Sequence, residues 1–250
     1  MSDKLQFVGS FVYVRAYDKL KFVGHRLMKR SNESKNTQFA QLVQEAAVCT
    51  RCVAMCERTA VLSELNGAIQ SRVMFIGEAP GRKGADRTRI PFSGDQSGKN
   101  FDRFLASIGL TRDRIFITSA ALCNPRTESG ANRRPTRTEV ENCSGFLART
   151  VQIIDPDIIV TLGSVALEAL KRIKWHDLHL KEAAGSIVEW DGRLLVPIYH
   201  PSPQVLASHR REPEQLKDYK VIAGAIAKIN FSFTPGFSQV SGTVAGSETV

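Results

Sequence analysis

The residues best equipped for chemistry lie in one stretch, residues 73–94, VMFIGEAPGRKGADRTRIPFSG. Glu78 supplies a carboxylate. Arg82, Lys83, Arg87 and Arg89 supply four cations within a dozen residues, opposed by Asp86 alone. Ile90-Pro91-Phe92 then delivers an aromatic ring on a proline-stiffened backbone. A basic loop beside a carboxylate and a flat apolar ring suits a polyanion that carries a planar group. Glycine-containing strand-turn-helix units are common in α/β domains, however, so the stretch alone does not assign a site.

The five cysteines offer a second chemistry. Four of them fall as Cys49-x2-Cys52, with 70 residues intervening before Cys123 and 19 more before Cys143. A tight pair followed by two distant single ligands is a poor zinc knuckle, which uses two close pairs, and suits a [4Fe-4S] cluster held by four thiolates. Zinc and buried, unliganded thiols are the alternatives, since cysteine is among the most buried residue types. Cys56, one helical turn beyond Cys52, is either a substitute ligand or a packing residue. Disulfides are disfavoured because the chain reads as cytoplasmic: its N-terminus alternates charged with apolar residues and lacks the unbroken apolar core of a signal peptide.

The elements that must position these groups follow from the periodicity. Val73 to Gly77 is an unbroken apolar or small run, the mark of a strand buried on both faces of a parallel sheet. Glu78-Ala79-Pro80-Gly81 turns the chain at its carboxyl end, where open α/β sheets place their ligand crevice. A second buried strand is predicted over 115–118, followed by Ser119-Ala120-Ala121-Leu122-Cys123 and an irregular loop over 124–135. Thr37 is positioned to cap a helix over 38–48, with Phe39, Leu42, Val43 and Ala46 on one face. Thr136 and Glu139 form a capping-box pair opening a helix to Asp155, with Val140, Phe146, Leu147 and Val151 on its core face and Cys143 within it. A third strand is predicted over 157–162, a helix over 164–173, two more strands over 186–190 and 194–199, and a closing helix over 214–229. This alternation predicts an α/β fold, a three-layer sandwich around a mainly parallel central sheet.

A chain of 250 residues with 42% apolar content accommodates one sizeable domain with extensions. It divides into an N-terminal extension over 1–35, a domain over 36–230 and a Ser/Thr/Gly/Val-rich tail over 231–250 that reads as disordered. In the extension Lys4-Leu5-Gln6-Phe7-Val8-Gly9 returns as Lys19-Leu20-Lys21-Phe22-Val23-Gly24, consistent with a short hairpin or with untranslated sequence, and Met28 opens a segment typical of a start. The net charge is +9 and its basic residues cluster, at Arg26, Lys29 and Arg30, at 82–89, at Arg133, Arg134 and Arg137, and at Arg210 and Arg211. Such clusters are the footprint of phosphate-backbone binding, with a solvated basic face as the alternative. No stretch approaches a membrane span.

Taken together, Cys49-Thr50-Arg51-Cys52, Arg58, GEAPG at 77–81, Pro91-Phe92-Ser93-Gly94, Cys123, Cys143 and Tyr199-His200-Pro201-Ser202-Pro203 resemble the iron-sulfur uracil-DNA glycosylases, families four and five of that superfamily. The resemblance covers about residues 38–228. GEAPG with its glutamate is similar to family four, whereas Gly84-Ala85-Asp86-Arg87-Thr88 and Ser93-Gly94-Asp95 are similar to family five.

The resemblance implies excision of uracil from DNA. The base is flipped into a pocket, stacked on Phe92 and bounded by the peptides of Gly77, Glu78, Ala79, Pro80 and Gly81. His200 matches the donor that stabilises charge on the departing pyrimidine. Glu78 ranks first and Asp86 second for positioning water. The loop Pro201 to Ser208 matches the segment pressed into the duplex, with Ser202 within it, Leu206 as wedge, and Arg210 and Arg211 as phosphate holders; Arg133 and Arg134 are further candidates for DNA contact. Cys49, Cys52, Cys123 and Cys143 match the cluster ligands. One departure stands out: Ser119 occupies the usual position of an asparagine that reads the uracil edge, and a hydroxyl does not reproduce a bidentate amide. Asn124 is a candidate to compensate. The loop between the third and fourth cysteines has Asn132-Arg133-Arg134-Pro135 and lacks the histidine of covalently trapping relatives, so ordinary turnover is expected. The expected partner is DNA containing uracil or another deaminated base, bound by a monomer. The alternative is a DNA-binding or damage-sensing protein of the same fold without catalysis.

Overall fold

β1 (Val73–Gly77) forms where the apolar run predicts it, and all five of its residues are buried. In the computed structural model, which describes residues 32–231, it lies between β2 (Ile115–Ser119) and β3 (Ile158–Leu162), parallel to both. β5 (Arg193–Ile198) continues the parallel ladder beyond β3, and β4 (Val188–Trp190) closes that edge antiparallel, giving the order β2-β1-β3-β5-β4. The last two strands join through Asp191-Gly192, both at positive φ (48° and 73°), which is the Asp-Gly hairpin turn whose twist matches its strands. At the opposite edge Asn66 Nδ2 donates to the Ile117 carbonyl at 2.6 Å and Gly67 forms a bridge with Phe116.

Side chains alternate across the sheet with the period of two that a strand imposes. Met74 and Ile76 face one core with α1 (Asn32–Ala47), α4 (Arg137–Ile154) and α5 (Ser164–Leu170). Val73 and Phe75 face the other, with α3 (Gln96–Ala106) and α8 (Glu212–Phe231). Phe75, Phe101, Phe104, Phe116 and Tyr219 are fully buried between these layers, each contributing roughly 1.5–3 kcal/mol of apolar transfer. The result is the expected three-layer sandwich. Short helices α2 (Ala85–Thr88), α6 (Leu180–Ala183) and α7 (Pro203–Ser208) lie in the connections.

The Thr136–Glu139 capping box forms in both directions: Glu139 N–H donates to Thr136 Oγ1 at 3.2 Å and Thr136 N–H to Glu139 Oε2 at 2.8 Å. α1 begins earlier than expected, at Asn32 rather than after Thr37, because Lys35 is buried and donates to the Ile154 carbonyl at 2.9 Å, fastening an extra turn to the end of α4. Thr37 sits exposed within it. α8 likewise starts at Glu212, with Pro213 tolerated in its first turn. The N-terminal repeat, Met28 and the tail beyond 231 lie outside the described residues. Among those described, no helix is long and apolar enough to cross a membrane.

Candidate active site

The carboxyl ends of the parallel strands bring Gly77, Ser119, Gly163 and the Tyr199-His200 segment to one crevice, the location expected for ligands of an open α/β sheet. Past β1 the ladder persists: Ala120 N–H donates to the Gly77 carbonyl at 2.9 Å and Ala121 N–H to that of Glu78 at 3.0 Å, so the turn is held rigidly. Ala79 packs against the first core and Pro80 is buried. A methyl group on Gly77 would lie 2.9 Å from Phe92 Cε2 and 3.5 Å from Ser119 Oγ. The Phe92 ring therefore lies against the peptide of Gly77, with the Ser119 hydroxyl beside both.

Phe92 is held there against its own backbone preference. Its φ is 51°, in the left-handed region that costs an aromatic residue free energy. Arg112 offsets that cost by donating to the Pro91 carbonyl at 2.8 Å and to the Phe92 carbonyl. The ring stacks on Phe101, centroids 4.8 Å apart at 29°. It also meets the His200 ring, centroids 5.3 Å apart at 37°. Burial pushes the His200 imidazole down to about 4, a drop that the negative charge of Asp95 opposes only in part. At neutral pH His200 is uncharged.

Two carboxylates border this pair. Glu78 is half-buried, and burial raises its pKa against the opposing charge of Arg134. Asp95 caps α3, accepting from Gly98 N–H at 2.9 Å, and its Oδ2 would be 2.5 Å from a methyl on Gly84, a contact only glycine permits. Asp86 behaves differently. Arg126 Nη2 donates to it at 2.5 Å, Arg126 Nε donates to Asn124 Oδ1 at 2.5 Å, and Asn124 Nδ2 donates to the Pro80 carbonyl at 2.5 Å. Asn124 is buried, and both ends of its amide are engaged by protein groups. Asp86 and Asn124 thus brace the turn that carries Glu78.

The basic residues divide in the same way. Arg133 grips Glu139 through two bonds of 2.8 and 2.5 Å, and Arg210 grips buried Asp218 at 3.0 and 2.6 Å, so both serve as internal braces. Arg82, Lys83, Arg87, Arg134 and Arg211 are exposed, with Arg134 donating to Ser164 Oγ at 3.0 Å. Ser202 caps α7 by accepting from Val205 N–H at 3.4 Å, and Leu206 is half-buried against the second core.

Cys49 follows α1, Cys52 precedes the 3-10 turn Val53–Met55, Cys123 follows β2 and Cys143 faces inward from α4. Burial and then the neighbouring Cys143, Cys49 and Cys52 push the Cys123 thiol up to about 12. Burial, together with Cys52 and Cys49 and against a backbone bond at Leu122, pushes Cys143 up to about 11. The same neighbour relations place Cys49, Cys52 and Cys143 around Cys123, a donor set of thiols of the kind that suits an iron-sulfur cluster. Asn142 Nδ2 donates to Cys52 Sγ at 3.4 Å, while Cys56 is exposed. Among the described residues, no group of three or more His, Cys, Asp or Glu is arranged to hold a single metal ion.

Sequence reasoning passed over Arg112 and gave Asp95 no role of its own. The signal for Asp95 was available, since an Asp just ahead of the Gln96–Ala106 pattern reads as a helix cap. Nothing in the sequence pairs Arg112 with a carbonyl 20 residues away.

Comparison with known proteins agrees with this geometry. Residues 66–221 match the model of the Uracil DNA glycosylase superfamily. The chain is 32% identical to the type-4 uracil-DNA glycosylase of Thermotoga maritima over 155 residues, covering 62% of this chain and 76% of that protein. It is 32% identical to the type-4 enzyme of Archaeoglobus fulgidus over 194 residues, 75% and 92% of the two chains. It is 33% identical to the type-5 uracil-DNA glycosylase of Pyrobaculum aerophilum over 168 residues, 61% and 70% of the two. With a matching fold, a strand-end crevice built around Phe92 and His200, and these relatives on both sides of the type-4 and type-5 divide, the chain belongs to the uracil-DNA glycosylase superfamily.

Proposed function

We propose that the protein is a uracil-DNA glycosylase that hydrolyses the N-glycosidic bond of a uracil flipped out of DNA. The observation that carries this reading is the Phe92 ring lying on Gly77 beside an uncharged His200 at the strand ends. A flipped base stacks on Phe92, and its polar edge meets the Ser119 hydroxyl and the peptides of 77–81. As the bond breaks, negative charge grows on the pyrimidine, and the His200 N–H stabilises it by donating a hydrogen bond without surrendering its proton. Glu78 holds the attacking water, its burial making it a stronger proton acceptor than an exposed carboxylate. The ion pair of Asp86 with Arg126 leaves Glu78 the favoured carboxylate. Arg82, Lys83, Arg87, Arg134 and Arg211 form the phosphate-binding rim.

Cys49, Cys52, Cys123 and Cys143 would hold a [4Fe-4S] cluster, a reading supported by their spacing and by the proximity of the other three to Cys123. The cluster supplies a cross-link between the end of α1, the Cys123 loop and α4. Reduced thiols suit a cytoplasmic protein, and one pocket serving one flipped base suits a monomer. Because a single hydroxyl at Ser119 reads the base edge less selectively than an amide, hypoxanthine and xanthine are candidate secondary substrates.

The test is release of free base from end-labelled oligonucleotides carrying a single uracil, hypoxanthine or xanthine, with iron and sulfide measured on the same protein. Release of uracil that disappears in His200→Ala is the expected result. Tight DNA binding with no base released would refute catalysis.

A further inference from the structure

Arg89 ends α2 with φ 63° and ψ 6°, a left-handed conformation in which glycine is at ease and arginine is not. An outlier that persists is held by its surroundings, and here the side chain does the holding. Its guanidinium donates to three backbone carbonyls: Asp86 at 3.2 Å within its own loop, and Thr59 at 3.0 Å and Ala60 at 2.5 Å across a gap of about 30 residues. Those two carbonyls lie in the segment that leaves the Cys49–Cys56 region. On its other side that segment is bound to the Cys123 loop: Val61 N–H donates to the Leu122 carbonyl at 2.7 Å, and the Arg58 carbonyl lies 4.0 Å from Cys123 Sγ. In the forward direction only Ile90 and Pro91 separate Arg89 from Phe92, with Pro91 stiffening the link and Arg112 fixing the two carbonyls at its end.

We infer that Arg89 is a positioning residue that couples the order of the four-cysteine centre to the seat of the Phe92 ring. The path runs from Cys123 through residues 58–61 to the Arg89 guanidinium, and from its backbone through Ile90-Pro91 to the ring. The inference rests on the glycosylase reading only for the meaning of the pocket; the mechanical coupling stands independently of any reaction. It assigns the cysteine centre a role beyond local stapling: the centre sets how firmly the base-stacking loop is held.

A double-mutant cycle tests this on the full chain, using Arg89→Gly, which relaxes the left-handed backbone while deleting the three bonds, and Cys123→Ser, which perturbs the centre whatever occupies it. The readouts are amide hydrogen exchange over residues 86–93 and, separately, kcat and KM on uracil-containing DNA. Removing bonds of this kind is expected to speed exchange over 86–93 by about tenfold in Arg89→Gly, with unchanged visible absorbance of the centre. Loss of kcat with little change in KM accompanies it. Cys123→Ser speeds the same amides in the wild-type background and adds no further change in the Arg89→Gly background. If Cys123→Ser does not fold, chelator-treated wild-type protein replaces it. Additive effects of the two changes, or wild-type exchange over 86–93 in Arg89→Gly, would overturn the coupling. Absence of uracil release by the wild type would refute the enzymatic reading while leaving the exchange cycle decisive.

Discussion

Acidification isolates the contribution of His200. An imidazole that binds its proton near 6.5 in the unfolded chain and only near 4 in the folded one makes the fold pH-dependent, because between those values the unfolded state holds more protons. The sign is fixed by the direction of the shift. The contribution to stability is fully present above pH 6.5 and is lost as pH falls from 6.5 toward 4, reaching about 3 kcal/mol at 1.36 kcal/mol per pH unit. The cause is burial of the ring against Phe92, with Asp95 returning part of the loss. Urea unfolding followed from pH 8 to pH 4 on the wild type and on His200→Asn measures it: the variant should lack most of the acid slope. Comparison between variants is needed because buried His176 shifts in the same direction and adds its own slope to both proteins. Base release should fall on acidification as Glu78, whose carboxyl pKa burial raises, and His200 take up protons. A His200 ring titrating near 6.5 by NMR, or an acid slope identical in wild type and His200→Asn, would refute the reasoning.

Gly77→Ala would place a methyl 2.9 Å from Phe92 Cε2 and 3.1 Å from Cζ, forcing the ring off its seat; since base stacking is worth about 1–3 kcal/mol, excision should fall roughly 5- to 150-fold with little change in the unfolding midpoint, and wild-type rates would show that the ring's position is unimportant. Tyr219 is fully buried and its hydroxyl has no hydrogen-bond partner among the described residues. Tyr219→Phe should therefore raise stability by about 1 kcal/mol in urea unfolding; a loss would reveal a bond that the phenol makes.

Much of this arrangement was legible in the residues because local rules carried it. The run Val73–Gly77 had to be buried on both faces, and the Thr136–Glu139 pair specified its own helix start. Asp191-Gly192 carried the hairpin signal that explains the one antiparallel strand. What local rules do not encode is which charges find partners inside the fold. Asp86, Arg133 and Arg210 look alike to a reader of sequence, each a charged group near a functional stretch. Their fates are decided by Arg126, Glu139 and Asp218, which folding brings close. Asn124 is the sharpest case, since an amide suited to reading a base is instead occupied at both ends by Arg126 and the Pro80 carbonyl.

The turn that lies along the outer side of β2 bears on how the molecule meets others of its kind. An unprotected border of a sheet is a row of open donors and acceptors that recruits strands from other chains. Here Asn66 occupies the Ile117 carbonyl and Gly67 takes a place beside Phe116, while the opposite border is a strand of only three residues. A sheet stoppered at both margins has little capacity to template its own aggregation, which leaves a basic protein free to be concentrated along an acidic polymer without polymerising on it.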